Sequence, residues 1–191
     1  MKSAACVGGI LEDGRSVRIL KANATSLPTD TKVSVGDIYE IVFDARPNAI
    51  PPHVEDILVS KAKLVEQVGI TVEVIENWGG RVCNGGTDIL FQGNLSWTDS
   101  GSGFISRANG LPENSVGFWI PDKNLTRNDF HSKVKFRYPH QNWRSLPFVG
   151  FQDPIDTIPA RTLVRVSLAR WWSPKDENIE DRCYLQLSGW Y

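Results

Sequence analysis

At 191 residues the chain has room for one large domain or two small ones, and either could bury a core without metal or disulfides. With 23% charged and 41% hydrophobic residues, the composition excludes bulk disorder. A formal net charge of -1 argues against wholesale duplex binding, for which a strongly basic domain is usual.

In chain order, Ala4 to Leu11 and Ser16 to Lys21 read as two short strands. The EDGR between them contains Asp13-Gly14, a favourable tight-turn pair, so a hairpin is expected. Asn23 to Thr31 is small, polar and proline-bearing, hence a loop, and Ile38 to Phe43 follows as a third strand. ARPNAIPPHVED must be irregular because each proline removes a ladder donor, and Ile57 to Val65 forms a fourth strand with a lysine-bearing face. These proportions suit a small, strongly coiled antiparallel barrel. Ile70 to Trp78 is ambiguous: Val72, Ile75 and Trp78 sit at helical spacing while the β-branched content favours strand, and a short connecting helix is the preferred reading. GGRVCNGGTD reads as a flexible crossing or plain turn, since a phosphate loop would need a lysine and Ser/Thr that are missing.

The second half is β throughout. Phe104 to Arg107 and Val116 to Ile120 form a hairpin or pair less directly. Lys133 to Tyr138 alternates, with Val134, Phe136 and Tyr138 inward and Lys133, Lys135 and Arg137 outward. Phe148 to Phe151 reads as a further strand. Arg161 to Tyr191 holds two closing strands joined by a charged turn: Val164, Val166 and Leu168 face inward with Arg161, Arg165, Ser167 and Trp171 outward, then Leu185 and Leu187 inward with Arg182, Gln186 and Trp190 outward. A second barrel over 103–191 is expected, with a first barrel and connecting helix over 1–78 and a Gly-rich bridge over 79–102.

Charge is unevenly placed. Residues 1–102 carry nine basic and thirteen acidic side chains, whereas 103–191 carry twelve and nine, and 133–170 alone carry seven and two. Single strands are held by basic grooves that track phosphates and by rings on which bases stack. Lys133, Lys135, Arg137, Trp143, Arg144, Arg165, Trp171 and Trp190 have that chemistry and form the expected nucleic-acid-binding set. Trp97, Trp119 and Trp172 are expected in the core, and Arg170 could stack on the edge of its tryptophan neighbours. A lysine-protected edge strand is the competing reading of Lys133 to Arg137.

No catalytic constellation is evident. His53 and Glu55 could share a strand face, more in keeping with a structural hydrogen bond than with catalysis, and no spaced ligand set implies a metal or other cofactor. Cys6, Cys83 and Cys183 are odd in number and far apart, which suits free thiols in a reducing cytosol. The N-terminal apolar run breaks at Glu12 and Asp13 before a signal-peptide core forms, no run approaches the roughly 18 apolar residues of a membrane span, and the sequons at Asn23, Asn94 and Asn124 carry no weight without secretion. A cytoplasmic location is expected.

CVGGILEDGRSVRIL near the start, GDIYEIVF followed by PPHVEDILV, and RCYLQLSGWY at the end resemble the bacterial dual OB domain proteins. Members open on a Cys-led strand, continue through a G-D-I-x-E-I strand and a proline-rich segment, and close on a Trp-bearing strand. The compact Ser16 to Leu20 strand and the Gly-rich bridge depart from that pattern. The resemblance implies a mainly β fold of two small OB-like antiparallel barrels in tandem with a short connecting helix. It also implies a bacterial cytosolic setting and a part in nucleic-acid transactions or anti-phage defence, and it supplies no residue set. The expectation is a non-enzymatic module binding single-stranded nucleic acid or a nucleotide-like ligand, with no cofactor and no membrane. The alternative is a protein-interaction subunit of a defence or repair assembly, with Trp143, Trp171 and Trp190 as anchors. An extracellular sugar-binding module is weaker, because the cysteines are unpaired and no signal peptide is evident.

Overall fold

A computed structural model describes residues 6–78, 80–173 and 180–191. The charged turn expected between the closing strands, and the first residues of the expected first strand, lie largely outside these. The chain divides into two compact units, Met1–Gly80 and Arg81–Tyr191.

In the first unit β1 (Val7–Ile10) and β2 (Ser16–Lys21) form the expected antiparallel hairpin. Gly14 takes φ 82°, the conformation that makes Asp-Gly a hairpin turn, and the Asp13 carboxylate accepts from both the backbone and Nε of Arg15. β3 (Asp37–Ala45) and β4 (Asp56–Gln67) pair antiparallel through two register shifts, and β2 joins β4 in parallel, giving the order β1-β2-β4-β3. The connecting helix is present as α1 (Val72–Asn77), capped by the Thr71 hydroxyl, which accepts from the Val74 N–H at 3.2 Å, and it buries Ile75. Arg18 donates twice to Asp56, at 2.6 and 2.7 Å, and Arg46 donates once at 2.7 Å; the Asp56 carboxylate is only 3% exposed. One buried carboxylate thus ties β2 and the end of β3 to the start of β4.

The second unit begins with β5 (Val82–Gly85), a 3-10 turn at Thr87–Gly93 and β6 (Ser96–Trp97). The stretch read as a bridge therefore contributes strands to this unit: β5 lies parallel to β8 (Val116–Pro121), whose edge supplies the partner that a Gly-rich segment could not supply for itself. β7 (Gly103–Ser106) pairs with β6 and β14, not with β8, so the hairpin between 104–107 and 116–120 does not form. β9 (Leu125–Arg127), β10 (Lys135–Tyr138), β11 (Arg144–Pro147) and β12 (Thr157–Ile158) follow, then β13 (Val164–Leu168) and β14 (Arg182–Trp190). The strand expected over 148–151 is displaced to β11, where Leu146 reaches the core; Phe151 is exposed.

These strands form a six-stranded sheet, β5-β8-β13-β14-β7-β6, and a four-stranded sheet, β11-β10-β9-β12, joined by isolated bridges at Ser102–Ser145 and Phe148–Leu187. The protein is mainly β as expected, but among the described residues no continuous strand pairing closes a barrel, and two of the pairings are parallel. The inward residues of the closing strands are as read, with Val164, Val166, Leu168, Cys183, Leu185 and Leu187 buried with Trp119, Phe136 and Leu146 in one core, whereas Trp171 and Trp190, read as outward, pack against that core.

Candidate nucleic-acid interface

Alternation on β10 buries Phe136 and Tyr138 and turns Lys135 and Arg137 to the other face, where Arg137 lies opposite Thr126 of β9 and Ser145 of β11. Lys133 is exposed just before the strand. The β9–β10 connection ends in a two-residue turn in which Phe130 and Lys133 exchange both backbone hydrogen bonds at 3.0 Å, with His131 and Ser132 at φ 46° and 60°. Two successive positive φ values match the turn that follows the natural strand twist, although neither residue is glycine. This tip presents Phe130, 57% exposed, with the Lys135 ammonium 5.2 Å from its ring and the His131 ring edge-on at 4.1 Å.

At the other end of β10 the Arg137 guanidinium lies 5.8 Å from the Trp143 ring, which is 55% exposed. With the Asn128 amide turned so that its oxygen faces the guanidinium, it accepts from Arg137 Nε and Nη2 at 3.0 and 3.1 Å. Gly101, at φ 81°, positions the Trp143 loop: a Cβ there would lie 2.1 Å from the Trp143 carbonyl oxygen, and the Gly101 carbonyl accepts from the Ser145 N–H at 2.7 Å. β10 therefore carries two cation–ring pairs, one with the turn before it and one with the turn after it. Phe130 was absent from the sequence-derived set because it precedes the alternating run and no glycine marks the turn beside it.

Arg144 is placed differently. Its guanidinium stacks 4.2 Å from the Trp97 ring; burial lowers its pKa, and the Asp88 charge partly offsets that. Nearby, Lys123, Pro139, His140 and Gln141 line a shallow, open surface depression. Lys123 donates to the Pro139 carbonyl at 3.2 Å and lies 5.4 Å from the Tyr138 ring, and the Tyr138 hydroxyl donates to Asp122 at 2.5 Å. Desolvation, reinforced by Asp122, pushes the Tyr138 phenol well above its usual range. His140 Nε2 stands 3.6 Å from Asp88.

The rest of the expected set is dispersed. Arg165 is on β13, opposite Phe118 and Gly189, where its charge partly counters the upward shift that burial imposes on the Tyr191 phenol. Trp171 packs against the core, with the Arg107 guanidinium 4.6 Å from its ring. Trp190 is packed too, its ring 6.0 Å from Phe136 and 5.0 Å from Phe148, and its backbone exchanges hydrogen bonds with the Gln152 amide at 2.7 and 3.1 Å. Of the tryptophans expected inside, Trp119 is fully buried and Trp97 packs on the core, but Trp172 is 56% exposed: the chain has left β13 there and strand alternation no longer applies. His53 and Glu55 are buried in the first unit, and among the described residues no three His, Cys, Asp or Glu gather to hold a metal ion. No helix of the described residues is long and apolar enough to cross a membrane.

The family model for the dual OB-containing domain matches residues 1–190, nearly the whole chain. The chain belongs to that family. No curated protein and no solved structure matches it. For this dual OB-containing protein the family supports an OB-type binding module, and the particular ligand has to be argued from its own side chains.

Proposed function

We propose that this dual OB-containing protein is a non-enzymatic module that binds single-stranded nucleic acid along β10 and the turns at its two ends in the second unit, in the cytosol of a bacterium. The observation that carries the reading is the pairing of Lys135 with Phe130 and of Arg137 with Trp143 on one solvent-facing ribbon. A cation resting on a ring holds that ring in place while keeping its own charge for a phosphate, and the ring's solvent side accepts a base at about 1–3 kcal/mol per stack. Lys133 adds a third cation at the same tip. Single strands are preferred over duplex in this reading because stacked, paired bases offer no face to an exposed ring. A part in DNA transactions or anti-phage defence accords with the family resemblance and follows only if the binding does.

Titration of a fluorescently labelled 12-nucleotide single strand, DNA and RNA in turn, at low and moderate salt with duplex as control, tests this. Saturable, salt-sensitive binding that exceeds duplex binding is the expected result; no binding at low salt refutes it. The second reading, a protein-interaction subunit, is favoured by one feature, the β11–β12 connection, which exposes Val149, Phe151 and Ile155, with Phe151 at 76%. A stoichiometric, salt-tolerant protein complex lost on Phe151→Ser would support it.

A further inference from the structure

We infer that the six-stranded sheet of the second unit carries a second base-stacking platform ending in Trp172, so that the ligand is an extended single strand rather than a mononucleotide. The inference rests on the single-strand reading above and adds a site to it. Trp172 lies beyond β13, yet its backbone is pinned to the start of β14: its N–H donates to the Arg182 carbonyl at 3.0 Å, and the Arg182 N–H donates back at 2.9 Å. From there the side chains form a row. The Trp172 ring meets Tyr184 with centroids 6.1 Å apart, Tyr184 meets its cross-strand partner Phe104 at 6.1 Å, and the Arg182 guanidinium lies 4.0 Å from the Phe104 ring. Beside the row, exposed Arg107 covers Trp171.

Three features separate this row from ordinary packing. Cys183 and Leu185, which alternate with Arg182 and Tyr184 along β14, are buried in the core, and on the opposite face Phe104 is covered as well, so the row opens to solvent at its Trp172 end. The row ends in a tryptophan that is 56% exposed although its backbone is fixed, which is a preorganised ring with one side open. Arg182 Nε is buried without a hydrogen-bond partner, so this guanidinium is held over a ring at the cost of a donor's hydration. Its positive charge, together with that of Arg107, favours an anionic chain over a neutral one. The β10 platform belongs to the four-stranded sheet and this one to the six-stranded sheet. A single nucleotide can stack on one of them, whereas a strand engaging both gains from the linkage between its bases.

The test is anisotropy titration of a labelled dT 12-mer with the full chain, whose readout does not depend on the tryptophan removed. Trp172→Ala should weaken binding about 5- to 150-fold, the range that loss of one base stack gives. Trp172→Phe, which keeps a ring, should recover most of the affinity. The losses from Trp172→Ala and Trp143→Ala should multiply, as for independent sites. Unchanged affinity in Trp172→Ala with a loss in Trp143→Ala overturns the second platform and leaves the single-strand reading standing. Unchanged affinity in both variants overturns that reading as well. Equal loss in Trp172→Ala and Trp172→Phe, with the thermal transition of the latter unaltered, overturns stacking as the basis.

Discussion

The two units differ in where they place most of their arginines. In the first, Arg18 and Arg46 converge on a buried aspartate, and their charge serves to hold three strands together around a small apolar core of Val17, Leu20, Ile57 and Ile75. In the second, Arg127 pairs with Asp129 at the surface, but among the described residues the core holds no such tie beside its Trp119, Phe136, Tyr138 and branched aliphatics, and Arg107, Arg137, Arg144 and Arg182 lie on rings. An arginine paired with a carboxylate has its charge compensated; one on an aromatic face remains available to a phosphate. The difference teaches where to look for a polyanion, and it points to the second unit.

The largest effect is expected inside the second unit. Phe136→Ala removes a fully buried ring that meets Phe148 and Trp190, and should destabilise that unit by about 4 kcal/mol, with hydrogen exchange accelerating in β9 to β14. If exchange rises equally in β1 to β4, the units do not have separate cores. Next, Asp56→Ala leaves two guanidiniums without their carboxylate. Both are partly exposed and can turn to water, so the loss should be about 2–3 kcal/mol, confined to the first unit, with oligonucleotide affinity unchanged. A large fall in affinity would show that the first unit also binds. Replacing His131 and Ser132 by Asn-Gly supplies the residues that their positive φ values favour and should stabilise the second unit by about 1 kcal/mol in urea denaturation. Destabilisation would mean that the tip depends on the His131 contact with Phe130.

The smallest effect concerns the thiols. Burial pushes the Cys183 thiol from 9.0 up to about 12, so at pH 8 it should resist iodoacetamide while exposed Cys6 reacts. Because the folded value is the higher one, the stabilising effect of keeping this thiol neutral is complete below pH 9 and fades as pH rises towards 12. Rapid alkylation of Cys183 in the native protein would contradict its buried place in the second core.

Much of this was legible in the residues. Asp13-Gly14 announced the first hairpin, and strict alternation announced β10, β13 and β14, because a strand with one face buried cannot conceal its period. The Gly-rich stretch misled because glycine reads as a breaker. Here Gly85, at φ 134°, ends β5, and Gly86 lets the backbone approach the Tyr138 hydroxyl, where a Cβ would lie at 3.1 Å. β11 was hidden because Arg144, Ser145 and Pro147 leave only Leu146 as an inward mark, while the more apolar Phe148 to Phe151 follows it. Of the expected interface, Lys133, Lys135, Arg137 and Trp143 come together on β10 and the turns at its two ends, since neighbours along a strand and its turns stay neighbours. Arg165, Trp171 and Trp190 do not join them, because the placing of one sheet against another is decided by pairings that alternation within a strand does not encode.

The measurement that tests the central claim most directly is the salt dependence of dT 12-mer binding by the wild-type protein and by Lys135→Gln/Arg137→Gln. Each phosphate neutralised on a single strand contributes about 0.7 to the slope of log K against log salt. Removing two such cations should weaken binding and flatten the slope by about 1.4. Equal affinity and equal slopes would place the nucleic acid elsewhere and contradict the account.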